Sequence, residues 1–551
     1  MKNNLILLKQ EAVAFINNHI ANLDIRAKQV LFVNCSMLYD KTFLDMISTD
    51  NKETIAFCTD ILRYGYSVFV SVLYNPKFEN LIGIPAPVMD HERIKLCRSL
   101  LYAFRNVGWV NFLLENERLG NLKISHFLNH TRIKFSKKHH WNEFLEKEYI
   151  EYYSKVIAAA QSKSYAILEH QRPLIIERMK SHVFVFLNDF IGYRTDYETE
   201  SFFYELARLD LQQETEWDMF NENCPFNGVA YDVFVNSITD FSGYAIKHIN
   251  YCNLLLIEHQ HLLMENLMYN ASESESLLKL ISENRSITTA EAKMLLHNIS
   301  LNSDNVSLYA SDSLPPPPFI KICSQLYLRS ISGSLWHPFP FLLENLHRNY
   351  PKDWNQNTNL REALFKEQLY DMFPGFKCIK HNIQITDGKR IITDIDAAVI
   401  DQESGEIALF QLKWQNLTDF SSKSLASKSK NYDTTATEWV DDVKAWLRSC
   451  SIKELASKLG LKEKFIDKQK IYLFVLGRRH GNYSKDKYVD DGCAWVQWYQ
   501  LLSCRAYLGE DNFKISTLHS LIRNASPYNK KIIERMTKYK IGKYTILYGG
   551  N

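Results

Sequence analysis

The chain has 551 residues, which is too long for one ordinary core, so we expect two or three domains. Its composition, 46% hydrophobic and 23% charged, is that of a soluble globular protein, and no apolar run approaches the ~18 residues of a membrane span. The net charge of +2 hides an asymmetry, because residues 319–551 carry 35 Lys and Arg against 25 Asp and Glu, and the preceding residues carry 30 against 38. A basic C-terminal half beside an acidic N-terminal half indicates that the basic half contacts nucleic acid; the alternative is a chance division of solvated charges.

Two further features bear on the compartment. The N-terminus lacks the long apolar region and the small-residue cleavage site of a signal peptide. The ten cysteines are scattered, with no CxxC pair and no zinc-type spacing, which predicts reduced and mostly buried thiols. We therefore predict a cytoplasmic protein.

The first 301 residues are predicted to form a mostly helical domain. Apolar spacing and helix-forming residues favour helices within 142–187 and 254–268, and the capping-box sequence at Thr288 opens a short helix. The segment Tyr66–Tyr74 is rich in Val and Phe, which predicts a strand. This half contains no phosphate-binding loop and no familiar catalytic motif, so we assign it a sensor or regulatory role.

Residues 302–318 are predicted to be a Pro/Ser-rich linker. Four consecutive prolines, Pro315–Pro318, favour a stiff polyproline II segment. We therefore place the boundary between the helical domain, 1–301, and a second domain, 319–551, at this stretch. A ligand for an SH3-type module is an alternative, but no flanking arginine supports it.

The second domain contains the pattern that carries chemistry. A helix is predicted from Leu360 to Phe373, with an apolar stripe, and Pro374-Gly375 ends it. Strand-like runs and turns follow it. The three runs are 376–385, 390–400 and 406–413, and a further helix, strand and helix are predicted near 437–447, 471–476 and 495–508.

Polar pairs lie on the second and third runs. Because side chains alternate faces along a strand, Asp394 and Asp396 share one face, and Gln411 and Lys413 share one face. If the turn is centred between residues 403 and 404, Asp396 lies opposite Gln411 and Asp394 opposite Lys413, about 5 Å apart. Carboxylate and carbonyl oxygens hold Mg²⁺, and an ammonium group stabilises developing negative charge. Such a patch suits phosphodiester hydrolysis; the alternative is an amphipathic hairpin with a wet polar face.

A helix with a glutamate, followed by a hairpin with a lone Asp and a Gln-x-Lys, resembles the PD-(D/E)XK nuclease superfamily, and the form Asp…Gln-x-Lys is similar to its Mrr-type branch. The resemblance covers about residues 357–508 and implies an αβββαβ, restriction-endonuclease-like core in an α+β multidomain protein. It implies that Asp396 binds the metal ion, that Gln411 is the variant second position and that Lys413 is the catalytic lysine. Glu362 would be the helical metal ligand, with Glu367 as the runner-up and Asp394 as a further ligand.

Two departures from the family pattern bear on the site. Gln411 replaces the usual acid, so the site has one negative charge fewer. Either Asp394 or Glu362 compensates for the missing charge, or the metal ion is bound weakly. Glu362 also fits a structural role, because Asn359-x-x-Glu362 has the spacing of a capping box and Glu362 with Lys366 is an i,i+4 pair.

The resemblance implies a Mg²⁺- or Mn²⁺-dependent nuclease, and we expect double-stranded DNA as its substrate. By analogy, an acidic helical domain beside a nuclease suits antiviral host defence, with a homodimer or a regulatory protein partner bound through the N-terminal domain. The alternatives are a catalytically degenerate nuclease fold that serves as a nucleic-acid-binding or interaction module, and a helical scaffold whose hairpin is only structural. The candidate nucleic-acid contacts follow strands and are Lys423, Lys428, Lys430, Arg478 and Arg479.

Overall fold

The structure is a computed structural model. It describes residues 4–83, 88–127, 130–214, 219–310, 314–387, 390–414, 432–478, 492–509, 513–524, 537–541 and 543–548, with the backbone but not the side chains of 137–149. The fold is α+β, as predicted, with many helices and several small sheets.

Helices dominate the first three hundred residues. Side-chain oxygens of Asp24, Asn51 and Asp90 accept hydrogen bonds from backbone N–H groups in the first turns of three of them. The predicted capping box of Thr288 and Glu291 is confirmed, with both of its hydrogen bonds present. Helices α1 to α11 are Asn4–Ile20, Ile25–Ile47, Lys52–Asp60, Tyr66–Leu73, His91–Arg118, Lys137–Lys180, Tyr197–Leu211, Tyr231–Glu258, Met264–Leu267, Ser274–Arg285 and Thr289–Asn298.

The prediction of a strand at Tyr66–Tyr74 is wrong, because α4 occupies this segment. Tyr66, Phe69, Val70 and Leu73 are all buried, and their spacing of three and four residues places them on one face of a helix. Burial of that face against the N-terminal core overrides the β-propensity of Val and Phe.

Two predicted helices also have different bounds. Helix α6 continues through Pro173 to Lys180. The helix expected over 254–268 is broken, because α8 ends at Glu258 and the short α9 begins at Met264.

We expected no segment with the length and apolar character of a membrane span, but one stretch of the N-terminal half has both. Among the described residues, Lys52–Leu73 is helical, long and apolar enough to cross a membrane, and 44% of its most apolar window is buried in the protein. The core helix of a soluble protein has the same properties. The cytoplasmic location stays a prediction.

Short strands lie between these helices. Strands β7 to β10 form one sheet in the order β7-β10-β9-β8, and β3 with β4 and β5 with β6 form two hairpins. Strands β1 to β10 are Leu122–Phe127, His130–Phe135, Val183–Phe186, Phe190–Tyr193, Pro225–Phe226, Val229–Ala230, Ala271–Glu273, Ser300–Leu301, Phe319–Lys321 and Leu326–Arg329.

The stretch 302–318, which we expected to be a stiff spacer, is packed against the rest of the protein. Pro315–Pro318 are buried, and the hydroxyl group of Tyr309 donates a hydrogen bond to the Pro315 carbonyl oxygen at 2.8 Å. Strands β8 and β9, which flank the stretch, pair in parallel, and one hydrophobic cluster contains residues from both sides of it. The prolines therefore lie inside a packed region, which differs from an exposed linker.

The second half of the chain forms a five-stranded mixed sheet in the order β11-β14-β15-β16-β17. Its first two pairings are antiparallel and its last two are parallel. The elements in this half are α12 Ile331–Leu335, α13 Phe339–Asn349, α14 Pro351–Asp371, β11 Lys377–Ile379, β12 Ile383–Asp387, β13 Arg390–Ile395, β14 Ala397–Ile400, β15 Ile407–Lys413, α15 Thr437–Ser449, α16 Ile452–Leu459, β16 Ile471–Gly477, β17 Cys493–Gln497, α17 Trp498–Leu508, α18 Ile515–Asn524, β18 Thr537–Ile541 and β19 Tyr544–Tyr548.

Helices cover both faces of this sheet. Leu409 packs in a cluster with Trp439 and Val443 of α15, and the next residue, Phe410, packs in a second cluster with Phe365 of α14. The alternation of side chains along β15 sends successive residues into different cores, which explains why its first four residues, Ile407 to Phe410, are all apolar and buried.

The last described strands do not belong to this sheet. Strands β18 and β19 form a hairpin, and β19 pairs in parallel with β2, so that one sheet has the order β1-β2-β19-β18. Lys543 and Tyr544 also contact the carboxylate of Glu11, at 2.6 and 3.0 Å.

Candidate active site

The chain leaves one sheet and enters another at Asp396. Residues Arg390–Ile395 pair with β12, whereas Ala397–Ile400 pair with β15, so the single strand predicted over 390–400 is two strands. The first predicted strand, over 376–385, is divided in the same way into β11 and β12. Asp396 lies at the break in the second run, and its N–H donates to the carbonyl oxygen of Phe410 at 3.1 Å.

The predicted register between the second and third runs is confirmed for β14 and β15, where Ala397 pairs with Phe410 and Ile400 with Ile407. Asp396 therefore lies beside Gln411, as predicted. Asp394 does not lie opposite Lys413, because it pairs with Gln384 of β12. The break at Asp396 separates the two halves of the predicted strand.

Asp396 is held by groups of the neighbouring strand. Its Oδ2 atom accepts a hydrogen bond from the Leu412 N–H at 2.7 Å and another from the side-chain amide of Gln411. The pKa of Asp396 is raised to about 6. Burial is the largest cause and the nearby Asp394 carboxylate adds to the rise, whereas the Leu412 N–H, the Lys413 charge and the Gln411 amide oppose it. The strand thus orients a carboxylate that ionises less readily than an exposed one.

Asp394 lies beside Asp396 and is half-buried. Its backbone is fixed by the indole N–H of Trp439, which donates to the Asp394 carbonyl oxygen at 2.7 Å. Its Oδ2 atom accepts a hydrogen bond from the Asn382 side-chain amide at 2.9 Å, and the same amide nitrogen lies 3.5 Å from Asp396 Oδ1. Asn382 therefore lies between the two carboxylates.

The helix contributes a lysine to this cluster. Lys366 of α14 donates from Nζ to the Asn382 side-chain oxygen at 3.0 Å. Burial lowers the pKa of Lys366, and the carboxylates of Asp396 and Asp394 oppose that shift. The sequence prediction missed Lys366 and Asn382 as site residues. The only signal was that Lys366 lies one helical turn after Glu362, on the same face.

The two predicted helical metal ligands, Glu362 and Glu367, lie on α14 and are exposed. Their role as metal ligands stays a prediction. The capping-box alternative for Asn359 and Glu362 is wrong, because the helix begins eight residues earlier, at Pro351.

Lys413 ends β15 beside Gly477 of the parallel strand β16. Its side chain is half-buried, and its charge acts on Asp396. Its carbonyl oxygen accepts a hydrogen bond from the Arg478 N–H at 2.8 Å. Asp396, Gln411 and Lys413 therefore occupy the same end of the sheet.

The predicted nucleic-acid contacts have different outcomes. Arg478 is 9% exposed, and its guanidinium group lies 5.1 Å from the ring centroids of Trp414 and Trp498. This packing differs from the exposed phosphate contact that we expected, because the aromatic residues that flank the strand end enclose the side chain. Lys423, Lys428, Lys430 and Arg479 lie outside the described residues.

The oxygen atoms at this end of the sheet suit a hard divalent cation. One oxygen of Asp394 and one oxygen of Asp396 lie near the same amide nitrogen of Asn382, and the amide oxygens of Asn382 and Gln411 are further candidate donors. Within the described ranges, no group of three His, Cys, Asp or Glu side chains could hold a metal ion. A metal site here would thus combine two carboxylates with amide or backbone oxygens and water.

Searches of family models, curated proteins and solved structures find no significant match to this chain.

Proposed function

We propose that the chain is a divalent-metal-dependent nuclease that hydrolyses phosphodiester bonds in DNA. The observation that carries the proposal is the cluster of Asp394, Asp396, Gln411 and Lys413, in which the charges of a second half-buried carboxylate and of an ammonium group act on the Asp396 carboxylate beside the end of β15. Neutralising and polarising a phosphate diester requires this combination of oxygen ligands and positive charge.

The arrangement of elements supports a restriction-endonuclease-like αβββαβ core. Helix α14 precedes the strands. Strands β11, β14 and β15 then pair with one another in antiparallel fashion. Helix α15 lies before strand β16, which pairs in parallel with β15. The predicted helix 437–447 and strand 471–476 correspond to Thr437–Ser449 and Ile471–Gly477. By this proposal the PD-(D/E)XK resemblance extends from the motif to the order of elements.

In the proposed mechanism, Asp396 and Asp394 would hold Mg²⁺ or Mn²⁺ together with amide oxygens. A bound ion of this kind polarises the phosphate and lowers the pKa of a coordinated water molecule. Gln411 and the Leu412 N–H keep Asp396 in place by binding its Oδ2 atom. Lys413 would stabilise the negative charge that develops on the phosphate oxygens.

A catalytically degenerate nuclease fold that binds nucleic acid is the second candidate. Gln411 favours it, because an amide stands where the family carries an acid. The N-terminal half would then regulate or present a binding surface. The role of that half in host defence, and its partner, stay predictions.

Cleavage of supercoiled plasmid with Mg²⁺ or Mn²⁺ tests the proposal. We expect the wild type to nick or linearise the plasmid and Asp396→Asn and Lys413→Ala to lose this activity. The matched controls are Asp441→Asn and Lys453→Ala, which change exposed residues of α15 and α16 and should cut normally. If the wild type binds DNA but leaves plasmid, linear duplex, single strands and RNA intact, the binding module replaces the nuclease.

A further inference from the structure

We propose that Lys366 and Asn382 are a positioning pair that opposes cation binding by Asp394 and Asp396 until a DNA phosphate draws Lys366 away. This inference rests on the proposed function and deepens it, because it states how metal binding and substrate binding are linked at the same site. It concerns two residues that the family motif does not contain.

The orientation of the Asn382 amide is fixed by its neighbours. A lysine Nζ atom only donates hydrogen bonds, and an ionised carboxylate only accepts them. The amide oxygen must therefore face Lys366, at 3.0 Å, and the amide nitrogen must face Asp394 and Asp396, at 2.9 and 3.5 Å. The reverse orientation would place donor against donor and acceptor against acceptor.

This orientation competes with a metal ion. The Asn382 N–H groups bind the carboxylate oxygens that would otherwise face a cation, Asp394 Oδ2 and Asp396 Oδ1. The second oxygen of Asp396, Oδ2, already binds Gln411 and the Leu412 N–H. The cation and Asn382 thus compete for the same two oxygens.

A half-turn of the Asn382 amide would convert it from competitor to ligand. Its oxygen would then face the carboxylates and add a neutral oxygen donor, which suits Mg²⁺ and Mn²⁺. The turn is unfavourable while Lys366 stays in place, because the amide NH₂ group would face the lysine Nζ. Lys366 must therefore leave before Asn382 can turn.

A phosphate group is the ligand that would move Lys366. Lysine binds phosphate oxygens as a point charge, and such contacts dominate the affinity of proteins for DNA. Once Lys366 binds the DNA backbone, the Asn382 oxygen is released and the competition ends. Because linkage is reciprocal, DNA should raise the metal affinity and the metal ion should raise the DNA affinity by the same factor.

The experiment measures Mn²⁺ affinity directly, from the electron paramagnetic resonance signal of free Mn²⁺, with and without a 20-base-pair duplex. The variants are Lys366→Met and, as its matched control, Lys458→Met. Lys458 donates a hydrogen bond to the carbonyl oxygen of Gln384, the residue that pairs with Asp394. Each variant therefore removes one positive charge beside the same hairpin, but of the two lysines only Lys366 contacts Asn382. Thermal unfolding monitored by circular dichroism verifies that each variant folds.

We expect DNA to raise the Mn²⁺ affinity of the wild type about tenfold, within the usual range of such couplings. Lys366→Met should bind Mn²⁺ more tightly without DNA, and its Mn²⁺ affinity should change little when DNA is added, whereas Lys458→Met should keep the wild-type response. Asn382→Ala should also lose the response, because it lacks both the competing N–H groups and the oxygen donor.

Equal effects of Lys366→Met and Lys458→Met would overturn the inference, because simple loss of charge would then explain both. An unchanged DNA response in Lys366→Met would overturn it too. These outcomes leave the nuclease proposal intact if the wild type cuts plasmid. If the wild type shows the expected coupling between DNA and Mn²⁺ but cuts no nucleic acid, only the nuclease proposal is refuted. If Mn²⁺ binding does not depend on Asp396, both the nuclease proposal and the inference about Lys366 and Asn382 are refuted.

Discussion

Two aspartates in different halves of the molecule have the same electrostatic signature and different surroundings. Burial raises the pKa of Asp40, on α2, to about 6, and burial is also the main reason why the pKa of Asp396 is about 6. Asp40 is 2% exposed, whereas the Asp396 side chain is partly open to solvent. The shift in pKa therefore does not distinguish them.

Their hydrogen bonds do distinguish them. Both oxygens of Asp40 are engaged by the start of the short helix α12: Oδ1 accepts from the Ser332 N–H at 2.7 Å and from two serine hydroxyl groups, and Oδ2 accepts from the Ile331 N–H at 3.0 Å. Asp40 thus fastens one helix to another. Asp396 has one oxygen engaged by its own sheet and the other turned toward Asn382 and Asp394. A raised pKa of a carboxyl group therefore indicates a metal site only where one of its oxygens faces other side chains that could bind a metal ion.

Replacing the two aspartates by asparagine should separate these roles most strongly. Asp396→Asn should lower the rate of plasmid cleavage by about a thousandfold, because a carboxylate that holds the metal ion accounts for several kcal/mol of transition-state stabilisation. Asp40→Asn should cut at nearly the wild-type rate at a temperature where it is folded. Initial rates of nicking on one plasmid preparation measure both, and equal losses would remove the contrast between the two residues.

The Asp40 contact should also depend on the close packing behind α12. A Cβ atom at Gly333 would lie 1.9 Å from the carbonyl oxygen of Pro317. Gly333→Ala should therefore lower the free energy of unfolding by about 3 kcal/mol, because backbone must move to admit a methyl group. Thermal unfolding tests this against Ser307→Ala, an exposed control. A wild-type melting temperature for Gly333→Ala would show that the prolines are not packed as described.

The pH dependence of the free energy of unfolding tests whether Asp40 titrates with a raised pKa. A carboxyl group whose pKa is raised in the folded state does not lower the free energy of unfolding at a pH below its ordinary pKa, which is 3.8 for Asp40. As the pH rises from there to about 6, the group lowers the free energy of unfolding increasingly. The stability of the wild type relative to Asp40→Asn should therefore fall by up to about 3 kcal/mol between pH 4 and pH 7. Urea unfolding at both pH values measures it. A difference that stays constant would mean that Asp40 does not titrate in this range.

The smallest effect should come from the tryptophan that fixes the backbone of Asp394. Trp439→Phe removes the hydrogen bond to the Asp394 carbonyl oxygen and keeps most of the buried ring. We expect a loss of about 1 kcal/mol in stability and a severalfold loss in cleavage. Trp446→Phe on the same helix, whose indole N–H binds Glu454 instead, is the control and should lose stability without losing cleavage. Equal losses of cleavage would mean that the Asp394 contact has no special role.

Local signals in the sequence predicted much of the C-terminal half. The register of β14 with β15 follows from a short turn and an alternation of side chains, and helix Thr437–Ser449 and strand Ile471–Gly477 follow from their apolar spacing. These features depend on neighbours in the chain. The position of Gln411 beside Asp396 was therefore predictable.

The missed features depend on distant contacts. The break at Asp396 divides one run between two partners, since its first part pairs with β12 and its second part with β15. Lys366 and Asn382 meet only when α14 packs against the strands, and Arg478 is enclosed by Trp414 and Trp498 only in the folded protein. No spacing rule contains that information.

The sheet that joins β2 to β19 bears on how the protein is made. His130 and Thr545 are paired neighbours in space, but more than four hundred residues separate them in the chain. During synthesis, which proceeds at about 5–20 residues per second, the β1–β2 hairpin must wait tens of seconds for its partner strand. Its unpaired edge is meanwhile open to other strands, and a chaperone that shields such edges would protect it. A fragment that begins at the five-stranded sheet would contain β18 and β19 but not β2, the strand with which β19 pairs. The two halves should therefore be produced as one polypeptide.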